Sequence, residues 1–167
     1  MLSQNKYFVN ISLTINKTSK YMLQLTKERS ETMIITEIPK EDYDTAMKLY
    51  CLCFEKEYQK INLNLLGNLI GLYIDNKLIG LAQIDYINNI LENKRIAHIN
   101  SFCIHPDHRN KHLGDTLLKE CIKICKQNNC DYINLTSNKN RTIANKIYQN
   151  NSFQIIDTRL LKKDISL

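Results

Sequence analysis

Ile104-His105-Pro106-Asp107-His108-Arg109-Asn110-Lys111-His112-Leu113-Gly114-Asp115 runs from a β-branched strand end, through a basic and polar turn, directly into an amphipathic helix. The first N–H groups of a helix have no internal acceptor, and the macrodipole places partial positive charge at the same end. A loop that wraps such a helix start can hold phosphate oxygens on main-chain donors. Arg109 and Lys111 add positive charge to this one. The segment therefore reads as a phosphate cradle.

Outward from this loop, the chain alternates strand and helix patterns. Residues 1–30 are polar and rich in Asn, Thr and Lys, with a weak alternation over Tyr7–Leu13, and read as an N-terminal appendage. From 31 to 167 a single domain is expected, since 167 residues suffice for one real core and not for two. Met33–Ile38 reads as a strand closed by Pro39. Tyr43, Ala46, Met47, Tyr50, Cys53 and Phe54 recur at helical spacing, with Glu41 and Asp42 placed where carboxylates suit a helix start. Residues 61–66 read as a second, short helix.

Leu69–Ile74 and Leu78–Tyr86 form a hairpin around Asp75-Asn76-Lys77, because Asp and Asn tolerate the positive φ of tight turns. Arg95–Ile104 is the next strand. Leu113, Leu117, Leu118, Cys121, Ile122 and Cys125 then share one helix face. Tyr132–Thr136 reads as a strand, Arg141–Asn150 as a helix, and Phe153–Ile156 with Arg159–Ile165 as a closing strand pair. The expected fold class is α/β, a mixed central sheet of six to seven strands with helices on both faces. Ligands of such sheets bind at the carboxyl ends of central strands, where the cradle lies.

A net charge of +6, spread along the chain, suits a solvated surface that favours anionic ligands, and points to no nucleic-acid partner. No apolar run reaches the roughly 18 residues of a membrane span, and no signal sequence opens the chain, so a soluble cytoplasmic protein with no membrane partner is expected. The six cysteines contain no C-x-x-C pair and read as free thiols, Cys121 and Cys125 as small core hydrophobes. His105, His108 and His112 with Asp107 lack a separate ligand set, so no metal is expected.

Arg109-x-x-His112-x-Gly114 after this strand resembles the coenzyme A loop of the GNAT superfamily of N-acetyltransferases, Arg or Gln, x, x, Gly, x, Gly or Ala. Two further segments match in order. Gly71–Gly80 resembles the family's second and third strands, and Leu135–Phe153 its second motif, in which Arg141, Ala144 and Tyr148 precede Gly-Phe, here Ser152-Phe153. The resemblance covers roughly residues 33–165 and implies the acyl-CoA N-acyltransferase fold, with acetyl-CoA as co-substrate. Transferred residue by residue, it implies that the main chain of Phe102, Cys103 and Ile104 holds the pantetheine arm and acetyl group. The pyrophosphate would lie on Asn110, Lys111, His112, Leu113, Gly114 and Asp115, with Arg109 positioning the loop and Asn140 a further cofactor contact. Tyr148 becomes the general acid for the leaving thiolate, a role that suits a phenol because its pKa lies near that of a thiol.

An alkylammonium must lose a proton before it attacks a thioester. Many relatives supply a Glu on the strand before the loop; this chain has Asn100 and Ser101 there, with His98 on the same face as Asn100. Proton removal is therefore expected to run through a water held by Asn100 or main-chain carbonyls, or by His98, or else an amine of low pKa is taken up neutral. Glu55, Glu57 and Asp85 are candidate contacts for a cationic amine. The acceptor implied is a small molecule such as an amino sugar phosphate, with a homodimer an allowed assembly. A peptide acetyltransferase and a non-catalytic acyl-CoA-binding module remain the other readings.

Overall fold

The computed structural model describes residues 32–61, 67–157 and 160–165. The appendage and most of the short helix expected at 61–66 lie outside them, as does Arg159. The described residues form two compact units, one through Thr136 and one from Ser137.

In the first unit the elements are β1 (Met33–Glu37), α1 (Tyr43–Phe54), β2 (Asn68–Ile74), β3 (Lys77–Asn89), β4 (Lys94–Ile104), α2 (Leu113–Gln127) and β5 (Tyr132–Leu135). They build a five-stranded sheet in the order β1-β2-β3-β4-β5, antiparallel except for the parallel pair β4/β5. The turn between β2 and β3 is made by Asp75 and Asn76, at φ 47° and 63°. Both lie in the left-handed region that a tight hairpin needs and that Asp and Asn enter readily. β3 runs on past Tyr86, where the strand was expected to end, as far as Asn89, because Ile87, Asn88 and Asn89 find ladder partners in Ile96, Arg95 and Lys94.

Neighbouring rows of the β3/β4 ladder show which helix covers which face. Leu81 pairs with Cys103, and this row packs with Ile38, Leu78 and the α1 residues Ala46 and Leu49. The adjacent row, Gly80 with Ile104, points the other way, toward Leu117 of α2. The two helices thus lie on opposite faces. The buried stripe of α2, Leu117, Leu118, Cys121 and Cys125, is the periodic apolar face of the sequence. Burial raises the pKa of the Cys121 thiol to about 12 and that of Cys125 to about 11. Both therefore stay protonated and act as packing groups, because only the thiolate is nucleophilic. All six cysteines are unbridged.

Gly71 in β2 is where the core leaves no room. A Cβ there would lie 2.7 Å from Tyr73 Cε2, and 2.8 Å from both Ile38 Cγ1 and Leu78 Cδ1. With three neighbours crowded at once, Gly71→Ala should destabilise the protein by about 1–3 kcal/mol, read as a lower denaturation midpoint at unchanged m-value.

The second unit carries α3 (Thr142–Asn150). The strand pair expected at its end is not formed: residues 153–157 and 160–165 join no ladder, and Ile155, Ile156, Leu160, Leu161 and Ile165 are strongly exposed. The sheet has five strands among the described residues, not six to seven. Short apolar runs identify a strand only where a neighbouring edge supplies hydrogen-bond partners, and sequence pattern does not reveal whether one does.

Candidate functional site

β4 changes character near its end. β3 advances from Leu81 to Gln83 while β4 retreats from Cys103 to Asn100, so β4 carries an extra residue there. This is a β-bulge, with Ser101 at φ 52°. On the other side, β5 pairs with β4 only from Ile96 to Ile99. Phe102, Cys103 and Ile104 therefore extend past the end of the β5 ladder, giving a strand terminus whose main chain can meet an extended ligand arm.

The loop begins where β4 ends. His105 N–H donates to Ile79 O at 2.7 Å, and a short 3-10 turn, Pro106–His108, follows. Arg109 reaches back: its Nε donates to Ile104 O at 3.2 Å, and Cys53 Sγ donates to the same carbonyl at 3.4 Å. The guanidinium thereby ties the loop to the strand end. Asn110 and His112 take φ of 61° and 58°. The first helical bond of α2 runs from Thr116 N–H to His112 O at 3.1 Å, and the Thr116 hydroxyl donates to that oxygen at 3.2 Å. The amides of Leu113 and Gly114 precede that bond and have no carbonyl four residues back within the helix. From Phe102 to Asp115, the predicted cofactor contacts are thus brought together at one strand end.

The two positions where the family pattern has glycine, His112 and Ser152, are both left-handed here, Ser152 at φ 66°. Ser152 sits at the end of α3, where its N–H donates to Gln149 O and Phe153 N–H donates to Tyr148 O, both at 3.0 Å. The Phe153 ring lies 6.0 Å from that of Tyr148. This is a Schellman cap with its usual hydrophobic contact, and glycine is the residue that enters it without strain. Ser152→Gly, and likewise His112→Gly, should raise stability by about 1 kcal/mol each, measured as a higher denaturation midpoint.

In the second unit, Asn138 organises the approach to α3. Its side-chain oxygen accepts from Asn140 N–H at 2.9 Å, and its carbonyl accepts from Arg141 N–H at 3.0 Å and from Asn145 Nδ2 at 3.1 Å. Tyr148 is a buried residue of α3.

Asn100 stands beside the bulge, and its Nδ2 donates to Asp85 Oδ2 at 2.8 Å. Asp85 also accepts from Gln83 Nε2, at 2.9 and 3.1 Å. Gln83 pairs with Asn100 and Asp85 with His98, so all four lie on the sheet face that carries α1. The carboxylate beside Asn100 thus stands on the neighbouring strand, β3. Gln83 was not anticipated, and Asp85 had no assigned place. The available signal was two polar residues at alternate positions within the apolar run Leu78–Ile87, opposite two more. Glu55 ends α1 in a left-handed cap at φ 53°, and Glu57 accepts through its main-chain oxygen from Cys51 Sγ.

Among the described residues no group of three His, Cys, Asp or Glu is arranged to hold a metal, and no helix is long and apolar enough to cross a membrane. In sequence, no curated protein matches the chain. Three solved structures show the same fold. A transcriptional regulator from Bacillus halodurans is 19% identical, with a TM-score of 0.67, over 80% of this chain and 99% of its own. Glucosamine-6-phosphate N-acetyltransferase from Arabidopsis thaliana is 13% identical, with a TM-score of 0.66, over 80% and 99%. An aminoglycoside N-acetyltransferase in complex with CoA is 12% identical, with a TM-score of 0.67, over 82% and 97%. A family model, the acetyltransferase (GNAT) family, matches residues 29–153, most of the chain, and so this protein belongs to that family.

Proposed function

We propose that the protein transfers the acetyl group of acetyl-CoA directly to a primary amine of a small molecule. The observation that carries this reading is the convergence, at the end of β4, of a bulged strand running past its neighbour with a helix start whose first amides lack internal acceptors. An extended pantetheine arm suits the first and a pyrophosphate the second. The family supplies the co-substrate, and one neighbour of the same fold was solved with CoA. Support for a small-molecule acceptor comes from Leu135-Thr136-Ser137 followed by Arg141, and from Arg159–Asp164, which look more like the small-molecule members of the family, amino-sugar-phosphate acetyltransferases among them.

In this reading Phe102, Cys103 and Ile104 hold the arm and the acetyl carbonyl through their main chain. The loop from Asn110 to Asp115 holds the pyrophosphate, locked to the strand by Arg109. Asn140 contributes from the turn before α3. The amine nitrogen attacks the thioester carbon, a C–N bond forms, and the C–S bond breaks. Tyr148 gives its phenolic proton to the departing thiolate and regains one from solvent. The nitrogen loses its surplus proton to water held at Asn100, whose side-chain carbonyl is an acceptor. No acyl-enzyme intermediate is required.

The test is thiol release from acetyl-CoA against a panel of primary amines, with the products identified by mass. Amine-dependent release with an N-acetylated product is expected. Tight acetyl-CoA binding with no release from any amine would instead make the protein an acyl-CoA-binding module.

A further inference from the structure

Asp85 is a half-buried carboxylate on the face of a largely apolar sheet, and such a charge is costly unless something compensates it. Three amide contacts do so in part, two from Gln83 Nε2 and one from Asn100 Nδ2. Amides orient the carboxylate but do not neutralise it. Elsewhere the carboxylates of Asp44, Asp115, Glu120, Asp131 and Asp164 meet a lysine ammonium, whereas Asp85 enters no ion pair among the described residues. An ionised carboxylate offers about four acceptor positions. The amides occupy the Gln83 and Asn100 sides, which leaves capacity for one further donor, and the unbalanced charge favours a cation.

Position gives this capacity a meaning. Asn100 immediately precedes the bulged Ser101, and the β5 ladder ends one residue before it, at Ile99. The anionic group therefore sits on the strand next to the segment assigned to the thioester, held by a residue of that segment's own strand. His98 lies opposite Asp85 in the same ladder and extends the polar patch.

Resting on the proposed acetyl transfer, we infer that Asp85 determines acceptor class: it receives the acceptor as an alkylammonium, and so selects alkylamines over arylamines, which arrive uncharged. Gln83 and Asn100 are positioning residues that fix the carboxylate's orientation. Asp85 draws the cation to the splayed strand. The proton then leaves to solvent, and the neutral nitrogen attacks.

The experiment compares wild type, Asp85→Asn and Asp85→Glu with acetyl-CoA, using glucosamine and benzylamine as alkylamines and aniline as the arylamine. Asp85→Asn should raise the alkylamine KM about 10- to 100-fold, the size of effect expected for losing one hydrogen-bonded charge contact. It should leave the acetyl-CoA KM unchanged and cost the aniline reaction far less than the alkylamine reactions, and Asp85→Glu should recover part of the loss. Unchanged alkylamine KM in Asp85→Asn, or equal losses for alkylamines and aniline, would overturn the assignment. A parallel fall in acetyl-CoA affinity would make Asp85 a structural residue and overturn it also. If wild type binds acetyl-CoA but acetylates no amine, the proposed activity itself fails, and this inference with it.

Discussion

Gly114→Val should weaken acetyl-CoA binding by at least about 100-fold in calorimetric titration while the protein stays folded. The glycine stands in the first turn of α2, where the Leu113 and Gly114 amides precede the first helical bond. A branched side chain there occupies the space a phosphate needs to reach them. Losing two charge-assisted contacts, each worth about 1.5–3 kcal/mol, accounts for a factor of that size. The folding control is built into the backbone: no glycine of the described chain has positive φ, so Gly114 is not required by its conformation. Valine is also a better helix former than glycine. His112 is the opposite case, a left-handed position at which glycine would relieve strain. Unaltered affinity in the valine variant would move the cradle elsewhere.

Tyr148→Phe should lower kcat by about 100-fold with little change in the acetyl-CoA KM, because a general acid acts in the transition state and not in binding the thioester. The ring itself is needed for packing: Tyr148 is buried, and its ring meets Phe153 across the α3 cap. Phenylalanine preserves that contact and removes only the hydroxyl. Full activity in the variant would leave Tyr148 with packing alone.

The legible parts of this fold were those written in local pattern. The α2 stripe of Leu117, Leu118, Cys121 and Cys125 has helical period, and it is buried as that period predicts. Asp75-Asn76 marked the β2/β3 turn by the two residue types best suited to positive φ. The passage from the end of β4 through a turn to the start of α2 could be read because strand, turn and helix start follow one another in sequence. Features that depend on pairing could not. The β4 bulge exists only in register with β3, where Leu81 faces Cys103 and Gln83 faces Asn100, and no local property of Ser101 announces it. Asp85 was visible as a carboxylate, yet its meeting with Asn100 required the ladder that sets Asp85 opposite His98. The closing strands failed for the same reason in reverse. Ile155, Ile156, Leu160 and Leu161 have strand-like composition, but strand formation depends on an edge that lies outside the segment.

Both departures from the family pattern, His112 and Ser152, occupy left-handed conformations that glycine would take more easily, so each costs stability. Asn100, in place of a glutamate, has a different consequence. On the proposed route, in which the proton passes to solvent, kcat/KM should climb with pH toward the acceptor amine's own pKa.

The central claim is that the end of β4 and the start of α2 form one coenzyme A cradle, and amide chemical-shift mapping during titration with CoA tests it most directly. The account predicts that the largest shifts fall on Phe102 to Ile104 and on Asn110 to Asp115, with the β1 edge of the sheet unmoved. Saturable binding whose shifts spare both segments, or no binding at all, would contradict it.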